Sequence, residues 1–199
     1  MGCKKIGIFV EDEWVSKSYF PILNELRGSG LLPLLITTNK DWDKGLRKSI
    51  PTAEDEPIYY LQADLSVEDV QISEFSGFIF GGGYWADRQR WWFSKTDAKG
   101  NLERPQVAKL VKDVLSIKDK PIGVICHSMW ILCSFKSLFK GRSVTCAYNI
   151  IDDVDNAGFK YVDQDVVVDG NLVSGRMSDN SEVFIKEYIK QLTLIGGSI

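Results

Sequence analysis

The stretch PIGVICHSMWILCSF, residues 121–135, decides how the rest of the chain is read. Its first half, Pro121 to Ile125, is an unbroken run of small and β-branched residues, the composition of a strand covered on both faces in a parallel sheet. Its second half places Trp130, Ile131 and Phe135 on one side and predicts a helix from His127 to Lys140. Cys126 stands at the changeover. A sharp strand-to-helix turn lifts the side chain at its apex over the sheet edge, which is the layout of a nucleophile elbow. The helix start adds unpaired N–H groups and a positive dipole end, which favour a thiolate and can hold an oxyanion. Free cysteine also packs as a small hydrophobe, so the turn alone leaves a core thiol equally open.

Working outward, β-rich runs alternate with amphipathic ones, the pattern of βαβ units on a parallel sheet. KIGIFV (5–10) predicts a first strand, PILNELR (21–27) a helix stopped by Gly28-Ser29-Gly30, and LPLLIT (32–37) a second strand. Residues 39–56 are polar and irregular and predict a loop. Short strands follow at Ile58 to Leu61 and at Phe78 to Phe80, the latter ending in Gly81-Gly82-Gly83. Pro105 opens a helix with apolar positions at Val107, Leu110, Val111, Val114 and Leu115. Beyond the decisive stretch, Arg142 to Tyr148 and Val166 to Val168 predict strands. Asp169-Gly170-Asn171 is a hairpin turn into Leu172 to Ser174, and a last helix runs from Asp179 to Leu192. No repeat or linker interrupts the pattern, so one domain over residues 1–199 is expected.

The chain has 199 residues and a formal charge of −3, with 24 basic and 27 acidic side chains. No basic stripe points to nucleic acid. No apolar run approaches the roughly 20 residues of a membrane span, and the N-terminus lacks a signal-peptide layout. Gly2-Cys3 looks like a lipidation site, but Ile6 stands where Ser or Thr is required. The four cysteines, Cys3, Cys126, Cys133 and Cys146, have no metal-ligand spacing, and there is one histidine. Neither a metal nor a cofactor is therefore expected, and reduced thiols in a cytoplasm are. Cys133 and Cys146 are read as structural, with Cys146 a candidate to border the pocket, and Cys3 as a terminal thiol. His127, the sole histidine, directly follows Cys126, and the Gly81–Gly83 turn offers backbone N–H groups for a second part of an oxyanion site.

At these residues the sequence resembles the ThiJ/PfpI family, of the class I glutamine amidotransferase-like superfamily, from Lys5 to Leu192. Val124 to Ser128 with Trp130-Ile131-Leu132 resembles the family's cysteine elbow. FIFGGGYWADRQR (78–90), DDVDNAG (152–158), VVVDGN (166–171) and LVSGR (172–176) resemble later landmarks in the family's order. The resemblance implies a flavodoxin-like three-layer α/β sandwich with a mainly parallel central sheet, a homodimer or higher homo-oligomer, and a reactive cysteine. It implies amidase or peptidase action, or cofactor-free glyoxalase or deglycase action, on a small-molecule or peptide substrate. Carried over by position, Cys126 is the nucleophile, His127 the adjoining residue, and Gly82 an oxyanion N–H, with Gly83, Ser128 and Trp85 around the pocket.

The departures matter. Many relatives carry a Glu four residues before a Pro equivalent to Pro21, and an ungapped comparison puts Lys17 there. Glu13, and less so Glu11, is the acid offered in its place at the end of the first strand. Lys17 beside the sulfur would instead stabilise a thiolate by charge. Ser128 and Met129 replace a Gly and a Pro, Phe80 and Ala86 two more prolines. With a single histidine, a glutamine amidotransferase triad is not expected. Asp152, Asp153 and Asp155 are the local candidates to orient His127, and Trp85, Trp91 and Trp92 would wall a pocket or bury a subunit contact. The alternative is a non-enzymatic redox sensor or chaperone-like protein that keeps the elbow.

Overall fold

A computed structural model of the chain describes residues 3–38, 46–89, 95–96, 102–103 and 106–196. Seven strands form the main sheet: β1 (Lys5–Phe9), β2 (Leu32–Thr37), β3 (Leu65–Ser66), β4 (Phe75–Phe80), β5 (Ile122–Ile125), β6 (Val166–Asp169) and β7 (Leu172–Gly175). Their spatial order is β6-β7-β5-β4-β1-β2-β3. Every pairing is parallel except the β6/β7 hairpin, where Asp169 faces Leu172 across a two-residue turn with Gly170 at φ 56°. The central strands are buried on both faces, which is why they read as continuous apolar runs. In register, Phe9 lies beside Phe80, and their rings stack at 4.4 Å.

The helices are α1 (Ser16–Gly28), α2 (Trp85–Gln89), α3 (Gln106–Leu115), α4 (Met129–Cys133), α5 (Ile151–Asn156) and α6 (Ser181–Gly196). α1 and α6 pack on each other and α6 lies on β7, while α4 packs on α2 and α5. Right-handed crossovers place α1 on one face and α3 on the other, because β1 leads outward to β2 and β4 leads the opposite way to β5. This is the flavodoxin-like three-layer arrangement expected. The reversal falls between β1 and β4, so the connections leaving them diverge and open a crevice at their carboxyl ends.

Several sequence expectations are corrected. α1 starts five residues before Pro21, at Ser16, because Ser18, Tyr19 and Ile22 turn into the core; the Tyr19 hydroxyl donates to the Phe9 carbonyl at 2.5 Å. The helix expected from His127 to Lys140 is broken. A tight turn at Cys126–Ser128 leads into α4, and Phe135 then leaves helical geometry at φ −119°, ψ 34° to bury its ring before a short helix at Lys136–Phe139. Apolar spacing cannot register such a break. Within 142–148 only Ser143–Val144 is a strand, paired with Lys160–Tyr161 off the main sheet. α5 was hidden in a polar stretch with Val154 as its one buried residue. Tyr60–Leu61 pairs with Arg47–Lys48, leaving Leu65–Ser66 as the unpredicted sheet edge. Trp91 and Trp92 lie outside the described residues.

Candidate active site

β5 ends at Ile125 in extended conformation, and Cys126 follows with φ 63°. A left-handed non-glycine residue costs about 1–3 kcal/mol and persists only where its surroundings over-determine it. Here they do: Gly82, one strand over, leaves room for the turn. A Cβ on Gly82 would stand 3.3 Å from the Cys126 Cβ and 2.9 Å from the Ser178 Oγ. Cys126 is buried, yet it lines a cavity of about 280 Å³ together with His127, Asn149, Ser178 and the backbone of Gly83. Val15, Tyr84 and Met177 give that cavity an apolar wall, and Thr52 contributes to its rim. The Glu56 carboxylate holds Thr52 by its N–H and hydroxyl, and takes the Ser16 hydroxyl as well.

The sulfur has polar neighbours. The N–H of His127 and both the N–H and hydroxyl of Ser178 hydrogen-bond to it. Burial nonetheless dominates and pushes the Cys126 thiol above its ordinary value, with the Asp87 carboxylate adding to the rise and those donors opposing it. The expected stabilisation of a thiolate by the helix start is therefore outweighed: α4 is five residues long, too short for a strong dipole, and the sulfur is buried. Cys126 is a thiol at rest.

His127 is buried, with Nε2 3.0 Å from the Asn149 Oδ1 and Nδ1 3.8 Å from the Asp87 Oδ1. Its ring lies against Tyr84 and Trp130 at 5.0 and 5.2 Å. Neither Asp152, Asp153 nor Asp155 is its partner: Asp153 accepts from the Trp130 indole at 2.7 Å. Asp87 and Asn149 take that place because α2 and the turn after Val144 both face the elbow.

The remaining predicted site residues divide sharply. Gly83 is at the cavity, in a bridge with Trp14, and its φ of 148° is one that glycine favours. That bridge uses the N–H groups of Val15 and Tyr84, and leaves the Gly83 N–H without a partner among the described residues. Gly82 does not supply the free donor expected of it, since its N–H donates to the Ser18 Oγ at 2.9 Å. Ser128 and Trp85 both donate to the Gly81 carbonyl, Trp85 at 3.0 Å, and so tie the two turns together from behind rather than line the cavity.

Lys17 points away and pairs with Asp179 at 3.4 Å on the surface. The helix position facing the elbow belongs instead to its neighbour Ser18, fully buried, because successive residues on a helix differ by 100° in direction. Glu11 is engaged at the ends of β1 and β2, accepting from the hydroxyls of Thr37 and Thr38 at 2.8 and 2.6 Å and lying 3.6 Å from the Arg47 Nε. Glu13 pairs with Arg88 at 2.5 Å and lines a neighbouring cavity. Neither acid is among the groups acting on Cys126. Ser178 was missed by the sequence reading. The available signal was topological: β7 pairs with β5, so the loop after β7 must pass beside the elbow.

Cys146 is fully buried, does not line the Cys126 cavity, and is pushed up to about 12 by burial. Cys133 is half-buried and Cys3 exposed. Among the described residues no cluster of His, Cys, Asp or Glu is able to hold a metal ion, and no helix is long and apolar enough to cross a membrane.

A doubly wound α/β protein with a buried thiol at the strand-to-helix turn beside the switch point is the class that fold and site define. The chain belongs to the DJ-1/PfpI family, whose model matches residues 4–191. It is 30% identical over 188 residues to an uncharacterized protein of Archaeoglobus fulgidus, covering 94% of this chain and 98% of that one. To the Deglycase PfpI of Pyrococcus furiosus it is 32% identical over 134 residues, 67% of this chain and 72% of the relative. Among solved structures, DJ-1 of Schizosaccharomyces pombe superposes with a TM-score of 0.72 at 19% identity, over 94% of this chain and 90% of that one. A two-domain protein of Anabaena variabilis, with DJ-1/ThiJ/PfpI-like and ferritin-like domains, gives a TM-score of 0.78 at 23% identity. This chain spans 95% of its own length there but only 48% of that protein.

Proposed function

We propose that this chain is a cysteine-dependent enzyme of deglycase or glyoxalase type, acting on a small carbonyl or amide through Cys126. The observation that carries the reading is the sulfur itself: held on a left-handed backbone, hydrogen-bonded by Ser178 and open to a cavity sized for a small molecule. The deglycase names among relatives about 30% identical support the same class.

In this reading the thiol proton leaves as the sulfur attacks. The sulfur lone pair forms the S–C bond, the C=O π electrons move onto oxygen, and that oxygen takes up a proton, giving a hemithioacetal from an aldehyde. From an amide the same attack gives a tetrahedral adduct that expels the amine, and water then cleaves the thioester. The Gly83 N–H, without a partner among the described residues and at the cavity wall, is the donor this reading assigns to the developing oxyanion, and His127, held by Asn149 and Asp87, moves the proton. Because burial raises the Cys126 thiol, its proton has to be lost on the way to attack, and a group able to take it is part of the reading.

A non-enzymatic role is the second reading: the raised thiol value lowers resting nucleophilicity toward substrate and peroxide alike, which favours a chaperone-like protein over a redox sensor. A substrate panel separates the two. The enzyme reading expects the purified chain to convert methylglyoxal and water to lactate, or to hydrolyse an amide or glycated amine. Inactivity across that panel would establish the non-enzymatic role, with selective oxidation of Cys126 at low peroxide marking a sensor.

A further inference from the structure

Residues 51–58 leave the body of the protein and return to it at nearly the same place. Where they start and finish, the Ser49 N–H donates to the Tyr59 carbonyl at 2.9 Å and the Tyr59 N–H to the Ser49 Oγ at 2.8 Å. The Ile50 N–H fixes the first end to the Trp14 carbonyl at 2.9 Å. Between these anchors the chain is neither helix nor strand, and every residue is exposed except the half-buried Glu56. None of the eight joins the hydrophobic core. Thr52, nonetheless, lines the Cys126 cavity.

Glu56 holds it there. One carboxylate oxygen accepts both the N–H and the hydroxyl of Thr52, at 2.6 and 2.8 Å, and the other accepts the Ser16 hydroxyl. Ser16 opens α1 directly after Val15, which lines the same cavity. Among the described residues, this bond to Ser16 is the one hydrogen bond joining 51–58 to the rest of the protein. The donors, the Ser16 hydroxyl foremost, hold the Glu56 carboxyl below its ordinary value, so the tie is charged at neutral pH. An exposed segment without core contacts and with a single tie opens at far lower cost than the sheet beneath it.

We infer that residues 51–58 are a lid over the mouth of the Cys126 cavity, latched to α1 through Glu56 and Ser16. Latched, the lid limits the size of molecule that reaches the sulfur; released, it widens the mouth. The inference concerns access alone and stands whether or not Cys126 turns over a substrate. The latch uses both carboxylate oxygens, one for each side. Glu56→Gln keeps the shape of the side chain but offers a single acceptor oxygen, so it can hold Thr52 or Ser16 but not both.

The test compares two reagents of the same chemistry and different bulk, N-ethylmaleimide and fluorescein maleimide. Cys126 adducts are followed by peptide mass spectrometry in the wild type, Glu56→Gln, Ser16→Ala and the double variant. Each single variant is expected to speed the bulky reagent about fivefold to twentyfold, the range of a half-exposed charge-assisted hydrogen bond, and the small one by less than about twofold. The double variant is expected to be no faster than either single, because all three cut one tie. Hydrogen exchange at the Thr52 amide is expected to quicken alongside, and a urea melt confirms that each variant is folded. Ser16→Ala carries the test alone should Glu56→Gln fail to fold. Four results overturn the lid: an unchanged rate for the bulky reagent, an equal rise for both reagents, effects that multiply in the double variant, or Cys126 labelled by neither reagent in any of the proteins.

Discussion

Replacing Cys126 with Ser is expected to lower kcat/KM on whichever substrate the panel reveals by about a thousandfold or more, with little change in folding stability. The two effects separate because the residue's structural role is carried by its backbone and its chemical role by its sulfur. Serine keeps the size and the hydrogen bonds to Ser178 and His127, and bears the same left-handed strain. What it lacks is an ionisable, polarisable nucleophile, since a hydroxyl is far less acidic than a thiol and burial opposes its ionisation further. Steady-state kinetics and a urea melt on the same preparation check both halves. Turnover within tenfold of wild type would remove Cys126 from the reaction. A collapse in stability would show that the thiol is a packing element, and the loss of activity would then say nothing about chemistry.

Gly83→Ala carries the largest expected cost in stability, about 2–4 kcal/mol. An alanine Cβ would stand 2.5 Å from the Glu13 carbonyl oxygen and 2.9 Å from the Trp14 Cα, both backbone atoms that cannot rotate away. The φ of 148° is unfavourable for any residue with a Cβ. Relief requires parting the Trp14–Gly83 bridge, which is what brings the turn after β1 against the turn after β4 and closes one wall of the Cys126 cavity. Gly28→Ala is the control. It lies at the end of α1 with nothing within 4 Å of its added Cβ, so the same substitution there is expected to be neutral or to stabilise by about 0.5–1 kcal/mol. Denaturant midpoints with unchanged slope measure both. If the two alanines cost the same, the backbone clash at Gly83 is not what fixes the wall.

The architecture was legible because it rests on patterns that are local. Runs such as KIGIFV, LPLLIT and PIGVI have no polar face, and only strands covered on both sides tolerate that. Their alternation with helical stretches gives the parallel sheet, and the position of Cys126 at the changeover gives the turn. What escaped the sequence depends on contacts between distant segments. Lys17 and Ser18 are adjacent in the chain, and only the packing of α1 decides that Ser18 faces the elbow and Lys17 the solvent. Glu13 was preferred to Glu11 as the tuning acid, but Arg88 takes Glu13, and the hydroxyls of Thr37 and Thr38 take Glu11. Gly82 was the natural oxyanion donor by position, but its N–H is taken by Ser18, and it is the Gly83 N–H that has no partner among the described residues. Ser178 joins the site from 52 residues beyond Cys126 through the pairing of β7 with β5, a relation no local pattern announces.

These exchanges share a theme. The acid expected to tune the sulfur is absent from its surroundings, and a serine hydroxyl and two backbone N–H groups stand there instead. Neutral donors stabilise a thiolate less than burial destabilises it, which leaves the thiol raised rather than lowered. The chemistry proposed here is therefore that of a protected thiol activated as it reacts, not of a standing thiolate.

The rate of Cys126 alkylation by iodoacetamide, followed from pH 6 to pH 10 by peptide mass spectrometry, tests that claim most directly. For a thiol whose value lies above the ordinary one, about 8.5, the rate is expected to climb about tenfold per pH unit across neutrality and to continue rising past pH 8.5, with Ser178→Ala moving the profile further upward. A plateau already reached by pH 7 would mean a standing thiolate, and failure to label at any pH would mean a sealed core sulfur; either result contradicts the account.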